Sequence, residues 1–278
     1  MALLSYVEKC PAAKSMKKLL QIANILVLLI TIAANYLLNA LQPWGYSVGD
    51  ISAKYQNLFT PASYAFAIWG VIYLSLLSFV VYQSLSLFGK RTDDSIVQRI
   101  GWSFVVANLG NVAWLLIWLS DSVGLSLVLM LVIFVALLKI FINDKIALPD
   151  ASTRHIAFVW WPFSLYFGWI TVALVANIAA YLTSIGWQAV AFGETAFTIF
   201  VLLVVATIYL FMVWKRNTRL YGLVGVWALV AIAVRHFNEV QQIAWVALAL
   251  AIIIFITTSI HAHRNRKTHP FRKLTSKS

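Results

Sequence analysis

Residues 220–234 read LYGLVGVWALVAIAV, and whether this run crosses a membrane decides the fold. Its 15 residues at a helical rise of ~1.5 Å reach only about 22 Å, against a hydrocarbon thickness of ~30 Å. Length alone argues against a crossing. Seven other apolar runs flank it: Leu19–Leu41, Pro61–Phe88, Ile100–Leu119, Val123–Ile142, Ile156–Leu182, Thr195–Val213 and Val240–Ile260. If residues 220–234 did not cross, the basic tail after Ile260 would lie opposite the other basic connections. If they do cross, only Lys54 and Arg235 of the 21 Lys and Arg residues fall on the outer side. Basic residues concentrate on the cytoplasmic side of membrane proteins. The charge bias therefore predicts eight transmembrane helices, with both termini cytoplasmic and the chain in the cell membrane.

Composition agrees with a membrane solvent. The chain is 62% hydrophobic and 11% charged, with a mean hydropathy of +0.86; soluble domains are roughly 45–50% apolar and 25% charged. Helix is the expected conformation, because lipid-facing backbone must satisfy its own hydrogen bonds and no strand-like alternation occurs. The fold class is an all-α membrane protein, divided into an N-terminal segment 1–18, spans within 19–183, further spans within 184–260, and a basic tail 261–278. The net charge of +12 lies in short connections beside apolar runs, which points to anionic membrane lipids rather than nucleic acid as the partner. Cys10 is the sole cysteine, so no disulfide framework is expected.

The span interiors hold no ionisable residue more than about a turn or so from an end, which argues against a proton relay or ion-coupled carrier. They hold Asn and Trp instead. Trp69 and Tyr73 are four apart, Asn111 and Trp114 three apart, and Trp169, Ala173 and Asn177 follow at intervals of four. Each set shares a helical face. At ~1.5 Å per residue from the outer ends, Trp69 and Asn111 lie about 12 Å deep, Trp114 and Asn177 about 8 Å, and Ala173 about 14 Å. These three faces are expected to meet in one outward-opening pocket. The plainer alternative is that each Asn is an interhelical hydrogen bonder and each Trp an interfacial anchor. Trp44, Trp102, Trp118, Trp160, Trp161, Trp187 and Trp214 are read as anchors of that kind.

Read whole, the local sequences resemble a known family. The segment Thr60-Pro61-Ala62-Ser63-Tyr64-Ala65-Phe66-Ala67-Ile68-Trp69-Gly70-Val71-Ile72-Tyr73 resembles the second helix of the translocator protein family, also called the tryptophan-rich sensory protein or TspO/MBR family. Asn111-Val112-Ala113-Trp114 resembles its third-helix N-x-x-W, and Trp169 through Ala173 to Asn177 is similar to its fifth-helix W-x-x-x-A-x-x-x-N. The resemblance covers residues 19–183. It implies a five-helix TspO-like bundle around a pocket for tetrapyrroles, sterols or other apolar ligands, with Trp69, Trp114, Trp169, Ala173 and Asn177 at matching positions. Two departures stand out: Ala67 replaces a Pro before the second-helix Trp, and Pro162 lies seven residues before Trp169. The three C-terminal helices have no counterpart in a five-helix bundle, so the chain reads as an enlarged, divergent branch.

Three functions compete. The first is a membrane receptor, sensor or carrier that holds an apolar small molecule such as a tetrapyrrole by aromatic stacking and Asn contacts; a homodimer is compatible with it. The second is a permease or permease subunit, with Gly222 and Gly225 allowing close packing or a broken helix. The third, an enzyme degrading a bound porphyrin, stands lowest, because the interiors offer no acid or base. No cofactor is expected. His261, His263 and His269 do not make a metal site, since i, i+2 positions do not share a helical face and the surrounding Arg and Lys repel a cation.

Overall fold

The computed structural model describes residues 11–89, 95–147, 151–187 and 193–264, with side chains from residue 15 onward. Most of the N-terminal segment, most of the basic tail, Cys10 and His269 lie outside the described residues. All regular structure among the described residues is helical. Eight long helices follow in order: α1 Pro11–Leu41, α2 Ile68–Ser84, α3 Ser103–Leu119, α4 Val123–Asn143, α5 Trp161–Ser184, α6 Glu194–Arg216, α7 Arg219–His236 and α8 Gln241–Arg264.

Seven of these segments are long and apolar enough to cross a membrane, and the eighth, α3, is a shorter apolar helix of 17 residues. The doubtful span is therefore not the one that the sequence singles out. Residues 220–234 extend at both ends into an 18-residue helix. The predicted span Ile100–Leu119 instead loses its first turn. Gly101 adopts a φ of +55°, a left-handed conformation suited to glycine, and it separates a short helix, Ser95–Ile100, from α3.

The first five helices close a ring. In it α1 packs on α2 and α3, α3 on α4, α4 on α5, and α5 back on α2. Carboxamides spaced along one face of α1 fasten it. Gln21 Nε2 donates to the Gln83 carbonyl at 2.6 Å, Asn24 Nδ2 to Gln83 Oε1 at 2.9 Å, and Asn35 Nδ2 to Asn111 Oδ1 at 3.0 Å. In hydrocarbon, apolar contact between helices gains little over contact with lipid, so such bonds and close packing hold helices together.

Helices α6, α7 and α8 form a second group, joined to the ring where α7 packs on α5. The join depends on glycine. A Cβ on Gly168 would sit 3.1 Å from the Val224 side chain, and one on Gly225 only 2.6 Å from the Tyr209 ring. Tyr209 reaches across to donate from its hydroxyl to the Gly168 carbonyl at 2.8 Å. Gly222 and Gly225 therefore serve close packing, and α7 runs unbroken through both.

At the end of the bundle that carries the basic connections, Asp144 closes α4. Its side chain is fully buried and accepts from Arg99 Nε at 2.7 Å and Trp160 Nε1 at 3.1 Å, with His155 Nε2 at 2.9 Å. Trp160 is thus a buried hydrogen-bond donor, not the interfacial anchor that the sequence suggests. Beside it, residues 156–160 form a turn of π-helix. Pro162 lacks an N–H and crowds the carbonyl four residues back, which widens the preceding turn.

Candidate functional site

At the end opposite Asp144, helices α2 to α5, Ala228 of α7 and residues from the segment 48–66 line a cavity of about 60 Å³. Three helices supply its tryptophans. Trp69 comes from the first turn of α2, which α7 positions: Ala62 N donates to the Ala231 carbonyl at 3.0 Å, and Trp227 Nε1 to the Ala65 carbonyl at 3.0 Å. Pro61 is not in a helical first turn as the sequence suggests: it precedes Ala62, which caps the 3-10 turn Ser63–Ala67 that leads into α2. Trp169 comes from α5, one residue after the Gly168 contact with α7. Trp69 and Trp169 meet edge to face with ring centroids 6.5 Å apart, and Phe66 meets Trp169 in the same manner at 6.2 Å.

The third tryptophan is held by a polar relay. Trp114 Nε1 donates to Asn177 Oδ1 at 2.9 Å, and Asn177 Nδ2 donates to Ser126 Oγ at 3.0 Å. These bonds link α3, α5 and α4 and fix the indole against the cavity wall. Asn177 is thus a positioning residue whose amide already has partners on both sides.

Of the seven residues chosen from sequence, Trp69, Trp114, Trp169, Ala173 and Asn177 line the cavity. Tyr73 and Asn111 do not. Tyr73 stacks on the far side of Trp69 at 5.3 Å, with its hydroxyl buried and unpartnered. Asn111 is tied to α1 through Asn35. Both form a layer behind the wall.

Sequence reasoning missed Trp118, Phe66 and the segment around Tyr55 and Thr60. Trp118 was assigned to the interface, yet it is 5% exposed. It stacks on Trp114 at 5.7 Å and donates to the Val48 carbonyl at 3.3 Å. The readable signals were spacings: Trp118 lies four residues after Trp114, and Phe66 three before Trp69.

Over the mouth sits the short helix Val48–Lys54, whose start is fixed by a reciprocal capping box between Ser47 and Asp50. Lys54 pairs with Asp121 at the end of α3. The Lys54 hydrogen bond holds the Asp121 carboxyl below its ordinary value and the Lys54 ammonium above its own. Inside this rim no charged residue lines the cavity. The site can bury an apolar body against indole faces. Its polar lining is Ser52, Tyr55, Asn57, Thr60 and Asn177, and among the described residues no group of three His, Cys, Asp or Glu gathers to hold a metal.

These features define a class: a multi-pass helical membrane protein with an aromatic cavity inside its bundle. A family model described as "TSPO-like protein" matches residues 21–260, and the chain belongs to that family. The match extends past residue 183 through α6, α7 and α8, so the last three helices fall within the region that this family model covers. Comparison with curated proteins and with solved structures finds no match.

Proposed function

We propose that this protein is a membrane receptor, sensor or carrier for an apolar ligand of the tetrapyrrole, sterol or lipid-like class, bound in the aromatic cavity. The observation that carries this reading is the convergence of Trp69, Trp114 and Trp169, from three helices, on one uncharged hollow. Ligand sites are usually ~300–1,000 Å³, so the roughly 60 Å³ now open requires side chains to move when ligand enters. Trp69 is the candidate, because it is only half-buried and is held by ring contacts without a hydrogen bond. Ala173, Ala176 and Ala180 leave the α5 wall flat, which suits a planar ligand.

Eight crossings and cytoplasmic termini, which the charge bias supports, and a cell-membrane location form part of the same proposal. The experiment is a tetrapyrrole titration of the purified protein, read by quenching of tryptophan emission, in wild type and in the Trp69→Phe, Trp114→Phe and Trp169→Phe variants. Weaker quenching in these variants is expected; unchanged titrations in all three reject the cavity. Accumulation of a labelled solute in proteoliposomes would instead favour the permease, a reading that the unbroken α7 does not help.

A further inference from the structure

A second groove lies outside the ring, on the lipid-facing side where α3 meets α4, at the end that carries the basic connections. It measures about 660 Å³. Its deeper part is walled by apolar side chains, Val106 and Val132 among them. Its rim is different: Gln98, Arg99, Trp102, Lys139 and Asn143 bring side-chain N–H donors together, and among the described residues no carboxylate lines it.

Lys139 makes the groove unusual. It lies four residues before the end of α4 and faces outward. The nearest acid in sequence, Asp144, is turned to the inside of the bundle, where Arg99, His155 and Trp160 occupy its oxygens. No salt bridge neutralises Lys139 among the described residues. A cation set into the hydrocarbon is costly at the centre of a helix and less so near its end, where snorkelling helps. A counter-anion from the membrane removes that cost. Exposed Trp102, at the N-cap of α3, lines the same groove, and its amphipathic ring suits the headgroup level.

We infer that the α3–α4 groove is a binding site for one anionic glycerophospholipid, whose phosphate meets Lys139 and the neighbouring donors while an acyl chain lies between the valines. The charge complementarity is one-sided, since among the described residues two cations, Lys139 and the Asp144-paired Arg99, line the groove and no carboxylate does. This site is separate from the aromatic cavity, which lies on the inner side of the same helices, so the two inferences stand or fall independently.

The test uses the full chain in liposomes containing phosphatidylglycerol or phosphatidylcholine with brominated acyl chains. The Trp102 contribution to quenching is the difference between wild type and Trp102→Phe. The expected result is half-maximal quenching of Trp102 at a several-fold lower mole fraction of phosphatidylglycerol than of phosphatidylcholine. Lys139→Gln should abolish that preference, and Lys139→Arg should keep it, which excludes a folding defect as the cause. Equal half-points for the two lipids in wild type, or an undiminished preference in Lys139→Gln, overturn the site. So does a Trp102 shielded from both lipids, because a second copy of the chain would then fill the groove.

Discussion

Replacing Gly225 by Ala tests whether α6, α7 and α8 are part of the structure that builds the cavity. The added Cβ would lie 2.6, 2.7 and 2.8 Å from Cγ, Cδ1 and Cδ2 of Tyr209. These atoms form the root of the ring and cannot swing away, because the Tyr209 hydroxyl is anchored to the Gly168 carbonyl at 2.8 Å. Overpacking of this kind costs roughly 1–3 kcal/mol, and a rigid neighbour puts it near the upper end. Ala gains up to ~1 kcal/mol over Gly in helix propensity. The net expectation is about 2 kcal/mol, a shift of about thirtyfold in the unfolding equilibrium. Gly70→Ala is the control, since nothing lies within 4 Å of its added Cβ; it should be neutral or stabilising. Gly222→Ala falls between them: its nearest atoms, Val213 Cγ2 and Thr258 Oγ1, are side-chain ends that can rotate. Reversible unfolding of each variant in mixed micelles measures the three values. In the Tyr209→Ala background, Gly225→Ala should cost nothing further, so the two changes are strongly non-additive. A Gly225→Ala variant as stable as Gly70→Ala would refute the packing argument.

Asn177→Leu leaves the Trp114 indole N–H without its partner and should destabilise the protein by roughly 0.6–1.7 kcal/mol, the range for interhelical hydrogen bonds in membranes; broader, less structured near-ultraviolet circular dichroism would report the loosened ring. Asp144→Ala strips Arg99 and Trp160 of their acceptor. A cost of roughly 2 kcal/mol is expected, discounted because Arg99 is partly exposed, and micellar unfolding again reads it. The Lys54–Asp121 pair gives a pH signature. Because the folded Asp121 carboxyl titrates below its ordinary value, the pair's contribution is present above the unfolded carboxylate pKa of ~3.9 and disappears as pH falls through the folded value. Asp121→Asn should therefore be less stable than wild type at pH 6, with the gap shrinking as pH falls below about 3.9 and narrowed by salt. A gap that persists in acid would exclude the pair as its source.

The long helices are legible because hydropathy reports what each segment must be dissolved in, and lipid accepts only closed hydrogen bonding. Hydropathy says little about azimuth. Trp118 lies on α3 and Trp102 at its N-cap, in equally apolar sequence, yet one is buried against the cavity and the other is exposed. Spacing separates them, since Trp118 shares the Trp114 face and Trp102 does not. The same reasoning directs Trp69, Trp169, Ala173 and Asn177 toward one pocket, and all four line the cavity. It places Tyr73 and Asn111 on the right faces but cannot tell that Trp69 stands in front of the first or that Asn35 occupies the second. Asn35, with Gln21, Asn24 and Thr31, was itself readable as a polar stripe along one face of α1. Its consequence, an α1 fastened by carboxamides, depends on partners as remote as Gln83 and Asn111.

The relation between the two helix groups is the part that local sequence hides most completely, and it bears on how the site works. Trp169 follows Gly168, whose backbone packs against Val224 and Tyr221 of α7 and accepts from Tyr209 of α6. Trp69 follows the turn that α7 fixes through Ala231 and Trp227. Two of the four cavity tryptophans are thus positioned from the C-terminal group, while Trp114, on which Trp118 stacks, is positioned within the ring by Asn177 and Ser126. If ligand entry moves Trp69, the displacement presses on a segment hydrogen-bonded to α7, and α7 packs tightly on α6 and α8. A five-helix bundle has no such lever. The physical consequence is that occupancy of the cavity and the packing of α6–α8 are energetically linked, and linkage is reciprocal. Gly225→Ala, which strains only the second group, should weaken tetrapyrrole quenching at Trp69 and Trp169 even though residue 225 does not line the cavity.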